Sequence, residues 1–266
     1  MNLIETPEIE TIIHPTAFVS KLAKIGTGVT IGPNAVVEDD VQIGNDVEIR
    51  QGAIIANGAR IGNRSKVYAY AVIATEPQDL KYLGEPTNAF IGEDTIIREF
   101  ATVNRGTTAT GRTSVGSNCL IMTYSHVAHD CRVGDNVVIS NATQLAGHVT
   151  IEDWVGLGGV VKIHQFCTIG KHAFVGADVK IVKDVAPYTL IGREPPQVEG
   201  INKIGLRRRG FSHELIAEIE EFYHILLFSG LNNRDGIAKY SQRQSVPEEI
   251  LECIGFIDKS SRGIYR

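Results

Sequence analysis

From Ile13 to Ile181 the chain places an aliphatic residue at every sixth position, and no other property of the sequence narrows its fold as sharply. Stepping by six from Ile13 gives 29 places, of which 26 hold Ile, Val or Leu; the exceptions are Asp79, Glu85 and Ala109. Ten of the aliphatic places are followed at once by glycine, as in Ile25-Gly26, Ile61-Gly62 and Val133-Gly134. The fifth place of each unit is small or β-branched, as in Ala17, Ala23, Val29 and Ala35. A strand alternates faces with period two, so a period of six with glycine at the bends means short strands joined by tight corners around a thin aliphatic interior. Neither helical spacing nor the turn spacing of a sandwich keeps one register for so long. The expected architecture is therefore an all-β parallel β-helix with three hexads, roughly 18 residues, per coil. Periodicity leaves its handedness open, because the general crossover rule favours right-handed connections.

The places where the period lapses divide the chain. Residues 79 to 90, DLKYLGEPTNAF, keep the count of six but lose the pattern, which describes a loop thrown outward from the prism. Such loops carry function on rigid scaffolds, although a tolerated surface insertion reads the same way. A shorter break, ATGRTS at 109 to 114, follows Val103-Asn104-Arg105-Gly106, and hexads then run uninterrupted from Val115 to Ile181. After Pro187 the period changes. Arg193-Glu194-Pro195-Pro196 reads as a linker, Ser212 as the N-cap of a helix whose face carries Leu215, Ile219, Phe222 and Leu226, and Ser245 with Glu248 as a capping box before Ile250, Ile254 and Ile257. The expected division is a β-helix over residues 1–190 and a small α-helical C-terminal domain over 191–266.

Composition removes several classes of function. A net charge of −5 over 266 residues, with Arg207 to Arg209 as the only basic run, offers no face for nucleic acid. No apolar run is long enough for a membrane span, and the N-terminal MNLIETPEIE lacks the basic-then-apolar pattern of a signal peptide, so the expected address is the cytoplasm. Cys119, Cys131 and Cys167 fall at the fifth, small-residue place of their hexads and Cys253 in a helical stretch. They read as buried filler in a reducing compartment and not as nucleophiles.

His126, His129, His148 and His164 all lie in the last uninterrupted block of hexads. At one coil per three hexads, His129 and His148 belong near one corner of adjacent coils, and His164 lies one coil above Ala146. Several histidines converging on one edge point to a site, and three chemistries are open. A neutral imidazole can act as general base, with His129 the candidate, Asp130 fixing its tautomer if the pair lies at a corner, and Gly147, one coil further on, offering a backbone N–H to a developing oxyanion. A shared zinc, as in γ-class carbonic anhydrases, is the second; against it, His126 and His129 are three apart in extended chain, with no acid obviously paired to them. A structural repeat or binding scaffold is the third, and the hexads themselves do not exclude it.

Seven stretches carry a more specific resemblance: HPTA (14–17), QDLKYLGEPT (78–87), HVAHDC (126–131), LAGHV (145–149), HQFC (164–167), GLRRRGF (205–211) and the C-terminal SRGIYR. Over almost its whole length the chain resembles the acyl-[acyl-carrier-protein]:UDP-N-acetylglucosamine O-acyltransferases, first enzymes of lipid A synthesis. The resemblance implies a left-handed parallel β-helix, a homotrimer with sites in the clefts between protomers, and transfer of an (R)-3-hydroxyacyl chain from acyl carrier protein to the 3-position of UDP-N-acetylglucosamine, without cofactor or metal. It implies that His129 is the general base, Asp130 its partner and Gly147 the oxyanion donor. By the same resemblance Asp79 and Lys81 contact the sugar and its phosphates, and His126, His148 and His164 line the site. Gln165 lies near the nucleotide, Asn202, Arg208 and Arg209 reach nucleotide or carrier protein, and Ala177 caps the acyl groove. Asn104 and Ile204 stand where many members carry histidine and glutamate, and the sequence leaves open whether the acceptor is the sugar itself or its 3-amino analogue.

Overall fold

The computed structural model describes residues 10–243 and 245–266, and in it the hexad resolves into strands mostly two residues long, each with one side chain inward. Gln42–Ile43 is representative: Ile43 is buried and Gln42 exposed. The strands stack into three sheets of 11, 9 and 8 strands, one for each face of a prism. Lys66 pairs with Glu48 and Val67 with Ile49, so a plain coil advances by 18 residues. Strands this short are not stable alone, and each is completed by the next coil: Thr30 N–H donates to Val47 O at 2.9 Å and Gly32 N–H to Ile49 O at 2.8 Å. The stacked Ile, Val and Leu form one continuous interior in which every fully buried aliphatic contributes about 1.5–3 kcal/mol. Ala35, Ala53, Cys119 and Cys131 fill its narrow places. Burial raises the thiols, Cys119 and Cys167 to about 11, Cys131 and Cys253 to about 12, so all four stay protonated and inert.

At most corners three residues follow the buried aliphatic and the third turns into the left-handed region: φ is 57° at Asn118, 61° at Asp130, 62° at His148 and 64° at Phe166. The glycine that so often follows the aliphatic has a different cause. A Cβ on Gly116 would stand 2.5 Å from the carbonyl oxygen of Gly134, so the closeness of successive coils excludes a side chain there.

Both lapses of the hexad leave the prism at one corner, between the face built from Val72–Thr75, Thr102–Asn104, His126–Val127 and Gln144–Leu145 and the face built from Asn88–Ile91, Arg112–Val115, Arg132–Val133 and Thr150–Ile151. Across the first lapse the register jumps 30 residues, from Lys66 to Ile96, and across the second 24, from Thr102 to His126. Each jump exceeds a plain coil by whole hexads, which is why the aliphatic frame survives the insertions.

At the C-terminal end, Thr189–Gly192 adds to the face beside Phe174–Val175, and Gln197–Ile201 returns antiparallel to it. The residues expected as a linker, Arg193 to Pro196, are thus the turn of a hairpin that closes the prism. Among the described residues four α-helices follow, α1 (Lys203–Arg208), α2 (His213–Tyr223), α3 (Asn233–Tyr240) and α4 (Glu248–Lys259), with a π-helical turn, His224–Phe228, continuing α2. Ser212 caps α2 as expected, its Oγ accepting from Leu215 N–H at 3.1 Å, and Ile219, Phe222 and Leu226 are buried with Leu215 packed beside them. The second capping box is not formed. Helix α4 begins at Glu248 itself, directly after Pro247, whose ring holds φ at −56° and leads the chain into the helix without a side-chain cap. Ile250, Cys253 and Ile257 of α4 are buried. At the N-terminal end of the prism, Ile12–Ile13 pairs with Thr30–Ile31. Among the described residues no helix is long and apolar enough to cross a membrane.

Candidate active site

The loop-bearing corner is also the corner of the histidines. Val127 points into the prism, Ala128, His129 and Asp130 make the bend, and the positive φ of Asp130 swings its carboxylate back beside the ring that precedes it. The pairing that a flat strand would forbid is therefore made: His129 Nδ1 lies 2.8 Å from Asp130 Oδ2, and both residues are buried. Asp130 also accepts from Thr107 N–H at 3.0 Å, Thr107 Oγ1 at 2.8 Å and Thr110 Oγ1, and its own N–H donates to Thr113 Oγ1 at 2.8 Å. Burial pushes this carboxyl up, but the hydrogen bonds from Thr110, His129 and Thr107 outweigh it and hold the pKa below the ordinary carboxylate value. An ionised Asp130 can only accept, so Nδ1 of His129 must carry the proton and Nε2 is left with its lone pair free.

Nε2 faces the next coil. A Cβ on Gly147 would stand 2.7 Å from it and 2.5 Å from Cε1, so the ring lies against Gly147 with no room for a side chain unless it shifts. At the equivalent place on another corner, Thr27 and Asn45 donate their N–H groups to the Oδ1 atoms of Asn45 and Asn63 one coil up. The Gly147 N–H has no acceptor among the described residues. A base nitrogen and an unengaged backbone donor thus face the same small space, the pairing that acyl transfer to a hydroxyl or amine requires.

Other expected residues surround this pair to different degrees. His148 lies edge-on to His129 with ring centroids 5.2 Å apart, stacks on Phe166 at 4.6 Å, and approaches Asp130 with Nε2 at 3.8 Å. His126 points outward from the strand just before the corner, 2.7 Å from Thr102 Oγ1 through Nδ1; burial and then the neighbouring His129 lower its pKa. His164 and Gln165 are exposed at the same corner two coils above His129, where Arg262 reaches His164 Nδ1 at 3.2 Å. Asp79 and Lys81 lie on the loop that leaves this corner below the dyad, Lys81 N–H donating to Asp79 Oδ1 at 3.0 Å.

Four expected residues are elsewhere on the chain. Ala177 is exposed on the corner after Phe174–Val175. Asn202 caps α1, its Oδ1 accepting from Gly205 N–H at 3.1 Å and its Nδ2 donating to His172 O at 2.9 Å, so its amide serves the fold. Arg209 donates to His172 Nδ1 at 3.1 Å and lies 5.3 Å from the Trp154 ring, while Arg208 is exposed. His172 itself was not legible as functional. Burial, then Arg209 and Lys171, bring its pKa down to about 4, which keeps it a neutral acceptor in a stack between Trp154 and Tyr188. The threonines holding Asp130 were also missed. Their signal was the second lapse of the hexad, which delivers them one coil below His129.

The same geometry corrects the spacing argument against a metal. The corner does bring an acid to two histidines, and ligand atoms of His129, Asp130 and His148 all lie within 4.8 Å of one another. A carboxylate has about four lone-pair sites. In Asp130 they serve Thr107 N–H, Thr107 Oγ1, Thr110 Oγ1 and His129 Nδ1, so an ion would have to displace one of the hydrogen bonds that hold Asp130 and His129.

Residues 184–265 match the model of the second domain of UDP-N-acetylglucosamine O-acyltransferases, and residues 22–57, 40–75 and 112–147 match the bacterial transferase hexapeptide. An acyl-[acyl-carrier-protein]–UDP-N-acetylglucosamine O-acyltransferase of Alkalilimnicola ehrlichii is 51% identical over 257 residues, covering 96% of this chain and 100% of its own. One from Xylella fastidiosa is 45% identical, covering 96% and 98%. Among solved structures, a UDP-N-acetylglucosamine acyltransferase from Bacteroides fragilis superposes with a TM-score of 0.94 at 42% identity, over 96% of this chain and 100% of that one. Its counterpart from Acinetobacter baumannii gives 0.91 at 37% identity over 96% and 100%. The prism is accordingly a left-handed β-helix.

Proposed function

The chain belongs to the acyl-[acyl-carrier-protein]–UDP-N-acetylglucosamine O-acyltransferases, and from that premise we propose that it moves an (R)-3-hydroxyacyl group from acyl carrier protein to the 3-position of UDP-N-acetylglucosamine, opening lipid A synthesis in the cytoplasm, with His129 as general base. The observation that carries the mechanism is the dyad itself: Asp130 fixes the proton on Nδ1, so Nε2 is free to take one. His129 Nε2 removes the proton of the sugar 3-hydroxyl, whose oxygen attacks the thioester carbonyl, and the Gly147 N–H meets the charge that develops on the carbonyl oxygen. Collapse of the tetrahedral species expels the carrier thiolate, which the protonated imidazole reprotonates. No acyl-enzyme is required, in keeping with four buried, protonated cysteines.

Asp79 and Lys81 are assigned to the sugar and its phosphates, His126, His148, His164 and Gln165 to the walls, and Asn202, Arg208 and Arg209 to nucleotide or carrier protein. Ala177 lies on another corner of the prism than His129, and Asn202, Arg208 and Arg209 lie at α1, where Asn202 and Arg209 meet His172, which supports a homotrimer in which two protomers complete each site. The assignment is tested by incubating the protein with carrier thioesters and UDP-sugars and identifying the product. An ester on UDP-N-acetylglucosamine supports it, an amide formed only on the 3-amino analogue moves the acceptor, and no product with either sends the chain back to a binding scaffold.

Ala177 is proposed to end the acyl groove. Ala177→Met is expected to shift donor preference to shorter chains with little change in the best rate, since each methylene kept out of such a groove forfeits about 0.8 kcal/mol. A ladder of carrier thioesters reads this directly, and an unchanged preference would remove Ala177 from chain-length control.

A further inference from the structure

The segment Asn104-Arg105-Gly106 holds the whole loop between Glu76 and Thr87 in place. Asn104 Nδ2 donates to Thr75 Oγ1 at 3.1 Å and Glu76 O at 3.0 Å, gripping the outgoing end. Gly106 N–H donates to Asn88 O at 3.1 Å and Gly106 O accepts from Thr87 Oγ1 at 2.5 Å, gripping the returning end. Arg105 takes the middle. Its Nε and Nη2 donate to Tyr82 Oη at 3.1 and 2.6 Å, its Nη1 to Asn57 O at 3.2 Å and Ala74 O at 3.4 Å, and Nη2 pairs with Glu76 at 3.4 Å. Tyr82 in turn donates through Oη to Glu85 O at 3.0 Å and through its N–H to Asp79 O at 3.0 Å, closing the turn that presents Asp79 and Lys81.

The leucines of the loop do not do this work instead, since Leu80 and Leu83 stand in solvent. The Arg105 side chain, by contrast, is only 14% exposed. Thr107, which follows Gly106, is the residue that donates twice to Asp130. Four consecutive residues therefore join the loop to the base.

We infer that Arg105 is a positioning residue for acceptor binding: its fork on Tyr82 sets the loop that carries Asp79 and Lys81 in fixed register with His129. The inference rests on the reading of Asp79 and Lys81 as sugar contacts. A guanidinium can make two parallel bonds to one oxygen while reaching two carbonyls, and an ammonium cannot.

The test combines backbone hydrogen exchange over residues 79–85 with steady-state kinetics on UDP-N-acetylglucosamine for Arg105→Met, Arg105→Lys and Tyr82→Phe. Arg105→Met is expected to speed exchange in the loop and to raise KM about tenfold with kcat within about threefold, the pattern of lost binding and intact chemistry. Arg105→Lys should recover part of the effect, and Tyr82→Phe, which keeps the packing and loses only the hydroxyl, should show it in weaker form. Exchange unchanged in both Arg105→Met and Tyr82→Phe overturns the inference, as does faster exchange with KM unmoved. Lys81→Ala separates the two failures. If it leaves KM unmoved, the reading of the loop as a sugar contact falls; if it raises KM while the loop stays rigid in the Arg105 variants, the clamp falls alone.

Discussion

His129→Ala is expected to lower kcat by about 10² to 10⁴ while leaving the chain folded. The chemical loss follows from the dyad, because Nε2 is the only nitrogen of the Asp130-oriented ring free to accept a proton from the acceptor. The structural loss is small for reasons equally visible. The ring belongs to a corner and not to the aliphatic interior, and Asp130 keeps its bonds from Thr107 and Thr110 when it is removed. Steady-state kinetics beside thermal unfolding decide between outcomes. Activity near that of the parent would take His129 out of the mechanism, and collapse of the fold would make it structural.

The prism was legible in the sequence because one physical rule, aliphatic in and polar out every six residues, repeats until chance cannot imitate it. Insertions could not hide it, since Lys66 to Ile96 and Thr102 to His126 both span whole hexads. His129, His148 and Gly147 could be placed together for the same reason, by counting coils. Their chemistry was less legible. Whether Asp130 meets His129 depends on a φ of 61° at a corner, a conformation the sequence permits but does not announce. Thr107 and Thr110 were invisible because they come from the segment where the period fails, and counting says nothing about where a loop returns. Ser245 and Pro247 mark the limit of local signals from the other side: two plausible helix starts stood two residues apart, and the proline prevailed. Asn202 and Arg209 show how resemblance and geometry answer different questions. The resemblance implies contact with ligand, and within one protomer they cap α1 and brace His172.

Gly147→Ala is expected to cost about 10²-fold in kcat, although alanine keeps the backbone N–H and Gly147 needs no left-handed conformation. The added Cβ would meet His129 at 2.5 Å from Cε1 and 2.7 Å from Nε2, and contacts that short cannot stand. The ring has little freedom to yield, because Nδ1 is held by a buried carboxylate that is itself held by two threonines. Either the ring tilts and the base leaves its line to the acceptor, or the coils part and the strain appears as about 1–3 kcal/mol of lost stability. The pair of substitutions tells which. With His129→Ala already made, the space over Gly147 is empty, so adding Gly147→Ala should cost little stability and reduce kcat no further than His129→Ala alone. Losses that multiply in the double variant would mean that Gly147 contributes independently of the imidazole, and full activity in Gly147→Ala would mean that the ring does not lie over this residue when it reacts.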